Sequence, residues 1–396
     1  MKFCSLGISD SELHEMIRQL QFRYAKWDIH VAGKKKITHD ALAISPEEHE
    51  HLIFLSRKIS RLLEKIELNL KKSPEFLESL GIPAEVFEII AVEPPSPFQI
   101  ARYDYFKTTD GRWILSEFNE DVPGGFNEAV GVTEFLSQYY PDSLPSSFAD
   151  HFMKGMSRFS SVALSYATGY SEDLQHMLIL EKLLNRAGIS TVRCAPSHIR
   201  CGWRRVSALG TDIDAVIRFY PSEWFPHLPN LAHWKRVLTR INMINPLSRI
   251  IRQSKNLFFL WESFDFLSRE EKDFILSLTP RTHPVGIDIA DEARHNREVW
   301  VLKHAFGRMG DSVVIGKLVT QEVWEGALKE ALTKTGEFSL QEFFATEALV
   351  HNQTHIYPTV GVYLVNGDFG GYYSRSAIKP FFTHEANYVP TLVTTA

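Results

Sequence analysis

The chain has 396 residues, is 44% hydrophobic and 23% charged, and carries a formal net charge of −5 at neutral pH. That length exceeds one simple core and predicts two or three subdomains with the composition of an ordinary soluble globular protein. The negative balance, the single short basic run Lys34-Lys35-Lys36 (read as a solvated loop) and the lack of any apolar run near ~18 residues speak against a nucleic-acid partner and a membrane span. Met1-Lys2-Phe3-Cys4 opens no apolar leader, and the three cysteines, Cys4, Cys194 and Cys201, form no zinc or disulfide pattern. A reducing cytoplasm is the expected setting.

From Ser9 to Leu80 the pattern is helical, with Leu52, Leu55, Ile59, Leu62, Leu63 and Ile66 at three-and-four spacing. Ser45 followed by Glu48 reads as a capping box that opens this helix. Three prolines in Glu93–Pro97 break the helical region. Two strands then follow, Phe98 to Lys107 and Arg112 to Phe118, joined by the turn Thr109-Asp110-Gly111. Alternation puts Arg102 and Asp104 on one face, and Glu117, Asn119 and Asp121 on a common face of the partner strand. In the simplest register one arginine, several carboxylates and an amide gather on a small patch. Hard oxygen ligands of this kind suit Mg²⁺, and the guanidinium would face phosphate. A solvated hairpin face with ordinary charge pairing is the competing reading.

Pro123-Gly124-Gly125 ends the second strand, and Phe126–Gln138 reads as a helix whose first turn could face an anion. From about Ser160 to Asn230 the pattern is α/β, with strands at Val162-Ala163-Leu164, Thr191-Val192-Arg193 and Ile213–Phe219 and a helix over Asp173–Ala187. Trp234–Leu278 is long, polar and helical. Strands follow at Glu298–Lys303, Ser312–Ile315, Phe338–Phe344, Tyr357–Val365 and Asp368–Ser374. Lys303 ends an apolar strand, where packing explains a lysine poorly. The loop after it contains Gly307, Arg308 and Gly310, whose backbone can approach phosphate; a plain hairpin without nucleotide fits the same residues. His351, His355 and His384 match no common zinc spacing. Trp113, Trp224, Trp261, Trp300 and Trp324 read as core. Glu172-Asp173 read as a helix N-terminus stabilised by negative charge in preference to a substrate-side loop that would meet an amine.

Taken in order, these landmarks resemble the glutathionylspermidine synthase-like family, over nearly the whole chain. Arg102-Tyr103-Asp104 with Glu117-Phe118-Asn119-Glu120-Asp121 is similar to its R-x-D … E-[YF]-N-x-D hairpin. Ile213–Phe225 is similar to its YPWEW segment, and Asn245-Pro246 … Gln253-Ser254-Lys255-Asn256 … Leu260-Trp261 to its EP … SNK … LW segment. Lys303–Gly310 is similar to its KP-x-x-GR-x-G loop. Gly361-Val362-Tyr363 … Gly370–Arg375 and Asn387-Tyr388-Val389-Pro390 are similar to its closing motifs.

The resemblance implies a mixed α/β (α+β), circularly permuted ATP-grasp fold. A helical N-terminal segment would span 1–95, a nucleotide- and metal-binding domain 96–150 with 235–396, and a preATP-grasp-like α/β subdomain 151–234. It implies a ligase that uses ATP and Mg²⁺, with two ions, to join a small carboxylate to an amine through an acyl phosphate; a nucleotide-binding scaffold without chemistry is the alternative. It implies Asp104, Glu117 and Asn119 as metal ligands and Arg102, Arg308 and Arg375 as the groups facing the transferred phosphoryl. Lys255, Lys303, Gly307, Gly310 and Gln341 would hold the nucleotide. The family's bifunctional members carry an amidase domain for which 396 residues leave no room, so amide hydrolysis is not expected. His304 for proline, Ser222 for tryptophan, Glu120 and the Pro123-Gly124-Gly125 run depart from the pattern. These departures leave the phosphate machinery in place and set glutathione and spermidine aside as assured substrates. Asp121, at the Pro-Gly-Gly turn, is expected to serve the substrate or the loop and not the metal.

Overall fold

Ile100–Lys107 pairs antiparallel with Trp113–Asn119 across a tight turn in which Gly111 takes φ 84°, a backbone conformation that glycine adopts without a Cβ clash. The protein is described by a computed structural model that covers residues 1–31, 33–307, 312–334, 336–383 and 385–395. The hairpin is not in the simplest register. Asp104 faces Glu117 but Tyr105 faces Leu115, so Ser116 is an extra, bulged residue. The bulge solves a parity problem: Leu115 and Phe118, three apart, both enter the core, which straight alternation forbids. It also turns Ser116 and Glu117 towards the same cavity.

Three more strands extend the hairpin into an antiparallel sheet, in the order Asn387–Val389, Asp368–Ala377, Thr354–Val365, Ile100–Lys107, Trp113–Asn119. Leu349–His351 adds to the Thr354 end. Beneath this sheet lies the helix Pro46–Leu70. Its Ser45–Glu48 capping box is formed as expected, and its Ser56 bonds the Tyr105 hydroxyl at 3.0 Å. A second, parallel sheet runs Asn242–Ile244, Ala215–Phe219, Ser161–Tyr166, Ser190–Cys194, with Ser171–Arg186 as a crossover helix. A third, antiparallel sheet orders Thr282–Pro284, Phe338–Glu342, Trp300–His304, Val313–Ile315. This mixed α/β arrangement is the expected fold class.

Several local expectations change. Asp40–Ile44 is a strand, not helix, paired with Lys2–Ser5 and Thr391–Val393. The helix after the glycines is shorter than 126–138: a wide π-turn Asn127–Val132 runs into Thr133–Leu136. Lys36 is not solvated; it is 2% exposed and sits over the Tyr388 ring. The stretch after Trp234 is interrupted by the strand Asn242–Ile244, and Asn245 clamps the start of the hairpin by accepting from Ile100 N and donating to the carbonyls of Ile100 and Glu120.

Behind the hairpin lies a buried ionic network. Glu120 accepts from the Tyr103 hydroxyl at 2.5 Å and from Arg252 at 3.0 Å, and Glu67 takes Arg249 at 2.9 Å and Arg252 at 2.5 Å. Asp121 takes Arg218 at 2.6 Å and Ser222 N at 2.9 Å. Asp121 is therefore a structural counter-ion and serves neither substrate nor metal, because the chain leaves the strand after Asn119 and turns this side chain into the protein.

Among the described residues, no helix is long and apolar enough to cross a membrane.

Candidate active site

One cavity of about 550 Å³ opens between the three sheets. Arg102, Asp104, Glu117, Asn119, Lys255, Lys303, Gly307, Gln341 and Arg375 all line it. Residues up to 273 positions apart in sequence thus share one space. Arg308 and Gly310 lie outside the described residues.

The hairpin supplies the charged floor. Arg102↔Asn119 and Asp104↔Glu117 are directly opposite each other, so all four side chains stand on one face. Arg102 grips Asp104 with two bonds, Nε to Oδ1 at 2.7 Å and Nη2 to Oδ2 at 2.9 Å. Arg375, on the second strand over, reaches Oδ2 at 3.4 Å. Burial opposes the charge on Arg102, and the Asp104 carboxylate outweighs it, so the guanidinium is held above its ordinary pKa. Both guanidiniums also lie over the Tyr373 ring, at 4.6 and 5.4 Å. Glu117 pairs with Lys255 at 3.0 Å. Burial would raise this carboxyl; Lys255 and Arg102 bring it down to about 2 instead. Lys255 Nζ also donates to the Gly307 carbonyl at 2.7 Å, which ties the start of the glycine loop to the floor.

The third sheet supplies the other wall. Val301 and Lys303 alternate onto one face, with Gln341 opposite Val301, and Ile315, Phe343 and Phe344 complete an apolar slot there. Burial, then the charge of Lys255, bring Lys303 down to about 8, against the pull of Glu117. His304, beside it, accepts from Phe306 N at 3.2 Å and so shapes the entry to the loop.

The oxygen donors suit a hard cation. Asp104, Glu117 and Asn119 offer two carboxylates and an amide on one face, and the buried Nδ2 of Asn119 has no hydrogen-bond partner. Mg²⁺ takes one or two carboxylates and completes its shell with water and phosphate oxygens. Gly361 stands opposite Asp104 on the neighbouring strand. A Cβ there would lie 2.9 Å from Asp104 Oδ1 and 2.5 Å from the Tyr373 carbonyl. Gly361→Ala is expected to displace Asp104 and destabilise the protein by about 1–3 kcal/mol, as overpacking does, measured by denaturant unfolding.

A second lobe was less legible in the sequence. Lys26, buried, is bracketed by Asp28 at 2.7 Å and Glu128 at 2.6 Å and lies 4.3 Å over Tyr388. Burial opposes its charge, but Glu128 and Asp28 outweigh it and push its pKa up to about 12. Gln175 and His176, one turn into the helix Ser171–Arg186, face the same lobe, and Glu172 and Asp173 reach it from the first turn. Glu172 and Asp173 thus stand in the first turn of a helix, as expected, and line the cavity as well. Trp224 is not core: it stands at the mouth of the cavity with Tyr170, ring centroids 6.1 Å apart. Gln253, inside a segment singled out from the sequence, accepts from the backbone N–H groups of Glu120 and Asp121 at 3.0 and 3.1 Å. Lys26, Glu128 and His176 carried no sequence signal, because single residues from separate elements form no motif.

His176 is buried against Phe126 and Phe219. Burial, then Lys26, bring its pKa down to about 3, with Arg102 adding to this and Asp28 opposing it. The unfolded chain binds this proton near pH 6.5 and the folded one does not. Stability is therefore lost as pH falls from 6.5 towards 3, by about 1.4 kcal/mol per pH unit for this one group. Denaturant unfolding between pH 7 and pH 5 should show that slope reduced in His176→Phe.

The comparisons agree with this geometry at the level of fold. A glutathione synthetase-like effector from Globodera pallida, solved in its apo form, superposes with a TM-score of 0.64 over 99% of this chain and 100% of its own, at 10% identity. A putative gamma-glutamylcysteine synthetase from Methylobacillus flagellatus matches at TM-score 0.47 and 15% identity, over 82% of this chain and 88% of its own. No curated protein matched. The model of the glutathionylspermidine synthase preATP-grasp family matches residues 9–394, and the chain belongs to that family.

Proposed function

We propose that this protein is an ATP-dependent, ADP-forming carboxylate–amine ligase that works through an acyl phosphate. The observation that carries this reading is the joint placement of Asp104, Glu117 and Asn119 beside Arg102, Arg375, Lys255 and Lys303 in one cavity with an apolar slot. Phosphoryl transfer needs little covalent help from protein and depends on positioning and charge neutralisation, and this residue set provides both.

ATP would lie with its base between Val301, Ile315 and Phe343, where Gln341 offers an amide for its edge. Lys255 and Lys303 would hold the phosphates. Asp104, Glu117 and Asn119 would hold Mg²⁺, whose charge would offset that of the phosphates. Arg102 and Arg375 face the point where the γ-phosphoryl group meets the attacking carboxylate and would stabilise the charge that develops there. The two carboxylates among the proposed metal ligands, Asp104 and Glu117, are paired with Arg102 and Lys255, cations that would turn to phosphate when the metal takes their place. The carboxylate oxygen attacks phosphorus, ADP leaves, and an amine displaces phosphate from the acyl carbon.

The test is an ADP-release screen with Mg²⁺ over amino acids, glutathione-like peptides and polyamines. Lys303→Met is expected to weaken Mg·ADP binding about tenfold, by the loss of one phosphate contact, read by calorimetry. Turnover by no pair in the panel, with nucleotide still bound, would favour a scaffold that kept the fold.

A further inference from the structure

Amide formation needs a group that takes a proton from the amine, because at neutral pH an alkyl amine is an ammonium ion with no free lone pair. None of the cations and carboxylates at the phosphate corner is suited to this. Arg102 and Arg375 are both engaged with Asp104, Asp104 is held in two bonds by Arg102, and Glu117 is engaged by Lys255.

His176 lies where such a group is needed. It lines the cavity between the phosphate corner and the second lobe. Its Nε2 lies 3.2 Å from where a Cβ on Gly124 would stand, nearer than any other side-chain atom. The Gly124 carbonyl in turn accepts from Arg102 Nη1 and from the Tyr363 hydroxyl. The imidazole thus borders the backbone that holds the proposed phosphoryl-facing arginine. Its other nitrogen, Nδ1, is buried with no hydrogen-bond partner. An orphaned polar atom of this kind costs about 1–3 kcal/mol, and Phe126 and Phe219 would accept a phenyl ring there without it. Packing therefore does not account for a histidine.

We propose that His176 is the general base that deprotonates the acceptor amine, an inference that rests on the ligase reading. His176 takes one proton from the ammonium group onto Nε2 and becomes an imidazolium. The freed lone pair forms the C–N bond at the acyl carbon. The bond from that carbon to the phosphate oxygen then breaks, and phosphate leaves with its electron pair and with the second nitrogen proton. The imidazolium returns its proton to water. The charges facing His176 are Lys26 and Asp28, on the segment after the first helix, and Arg102, on the hairpin. Burial and the two cations favour the neutral ring, against the pull of Asp28. An acyl phosphate against Arg102 adds negative charge beside the ring and raises its proton affinity at the step that needs it.

The experiment compares two small amines that differ chiefly in their protonation at pH 7.5: hydroxylamine, already largely neutral, and methylamine, almost wholly an ammonium ion. Glutathione, γ-glutamylcysteine and the free amino acids serve as carboxylates, with ATP and Mg²⁺, and hydroxamate, methylamide and ADP are measured. His176→Gln is expected to keep hydroxamate formation within about threefold and to lose methylamide formation about 100-fold. The residual methylamide rate should climb about tenfold per pH unit where the wild type is flat, since only free amine then reacts. His176→Phe, of similar bulk, should repeat the pattern if the glutamine variant fails to fold. Methylamide formation no faster in the wild type than in both variants, or equal loss of both products, overturns the proposal. No hydroxamate from the wild type with any of these acids overturns the ligase reading itself.

Discussion

Asp104→Asn is expected to lower carboxylate-dependent ADP release by about 10³-fold, the scale of losing a preorganised electrostatic contact to the transferring group. The variant separates two roles of one side chain. Asp104 is the counter-ion of Arg102 and Arg375. In the proposed complex it is a metal ligand. Asparagine keeps the shape and the acceptor oxygen but removes the charge, so Arg102, 7% exposed, is left without its main partner. Breaking a buried pair on one side destabilises by about 3–5 kcal/mol. Unfolding in urea reads the first role, and the Mg²⁺ dependence of ADP binding reads the second. Lost stability with unchanged Mg²⁺ dependence and turnover would leave Asp104 as a counter-ion only. Glu117→Gln should follow the same course, with Lys255 as the stranded cation.

Arg218→Met should be the most destabilising single change away from the cavity, by about 3–5 kcal/mol. The pair it breaks is fully buried, with Arg218 and Asp121 side chains 1% and 0% exposed. Arg218 also donates to the carbonyls of Tyr220 at 2.7 Å and Pro246 at 3.0 Å, so one side chain joins the hairpin's exit to the parallel sheet and to the segment that leads to Lys255. Methionine leaves Asp121 charged and held by Ser222 alone among the partners described. The double variant with Asp121→Asn should recover part of the loss, since it removes the stranded charge, and the cycle measures the coupling. Urea unfolding at pH 7 is the measurement. Nucleotide affinity in the double variant should match the wild type, because Asp121 faces the protein interior.

How much of this was legible in the sequence follows from what each motif encodes. The hairpin was readable because Asp110-Gly111 and the alternation around Arg102 and Glu117 are local signals. Its register was not, because the bulge at Ser116 satisfies a core demand, with Leu115 and Phe118 both inward, that appears only when the helix Pro46–Leu70 packs beneath. The same limit applies to Asp121, which shares the alternation of Glu117 and Asn119 but lies past the end of the strand. Lys303 was marked by its place at the end of an apolar strand and Lys255 by the family resemblance alone; that Lys255 bonds both Glu117 and the Gly307 carbonyl is a fact of three elements meeting.

The sequence by itself determined the fold class, the family and the chemical kind of residue at the floor of the cavity, because these depend on patterns a few residues long repeated in order. Only the tertiary structure decided which carboxylates share that floor, that Asp121 does not, and that Lys26, Glu128 and His176 line the same cavity. Those assignments depend on burial and on distances between residues far apart in the chain. The acidic hairpin therefore stands as a buried charged floor paired with arginines, not as a solvated surface. What gives it that character is desolvation and the cations brought in from another strand of its own sheet (Arg375), from the turn that carries Lys255 and from the third sheet (Lys303).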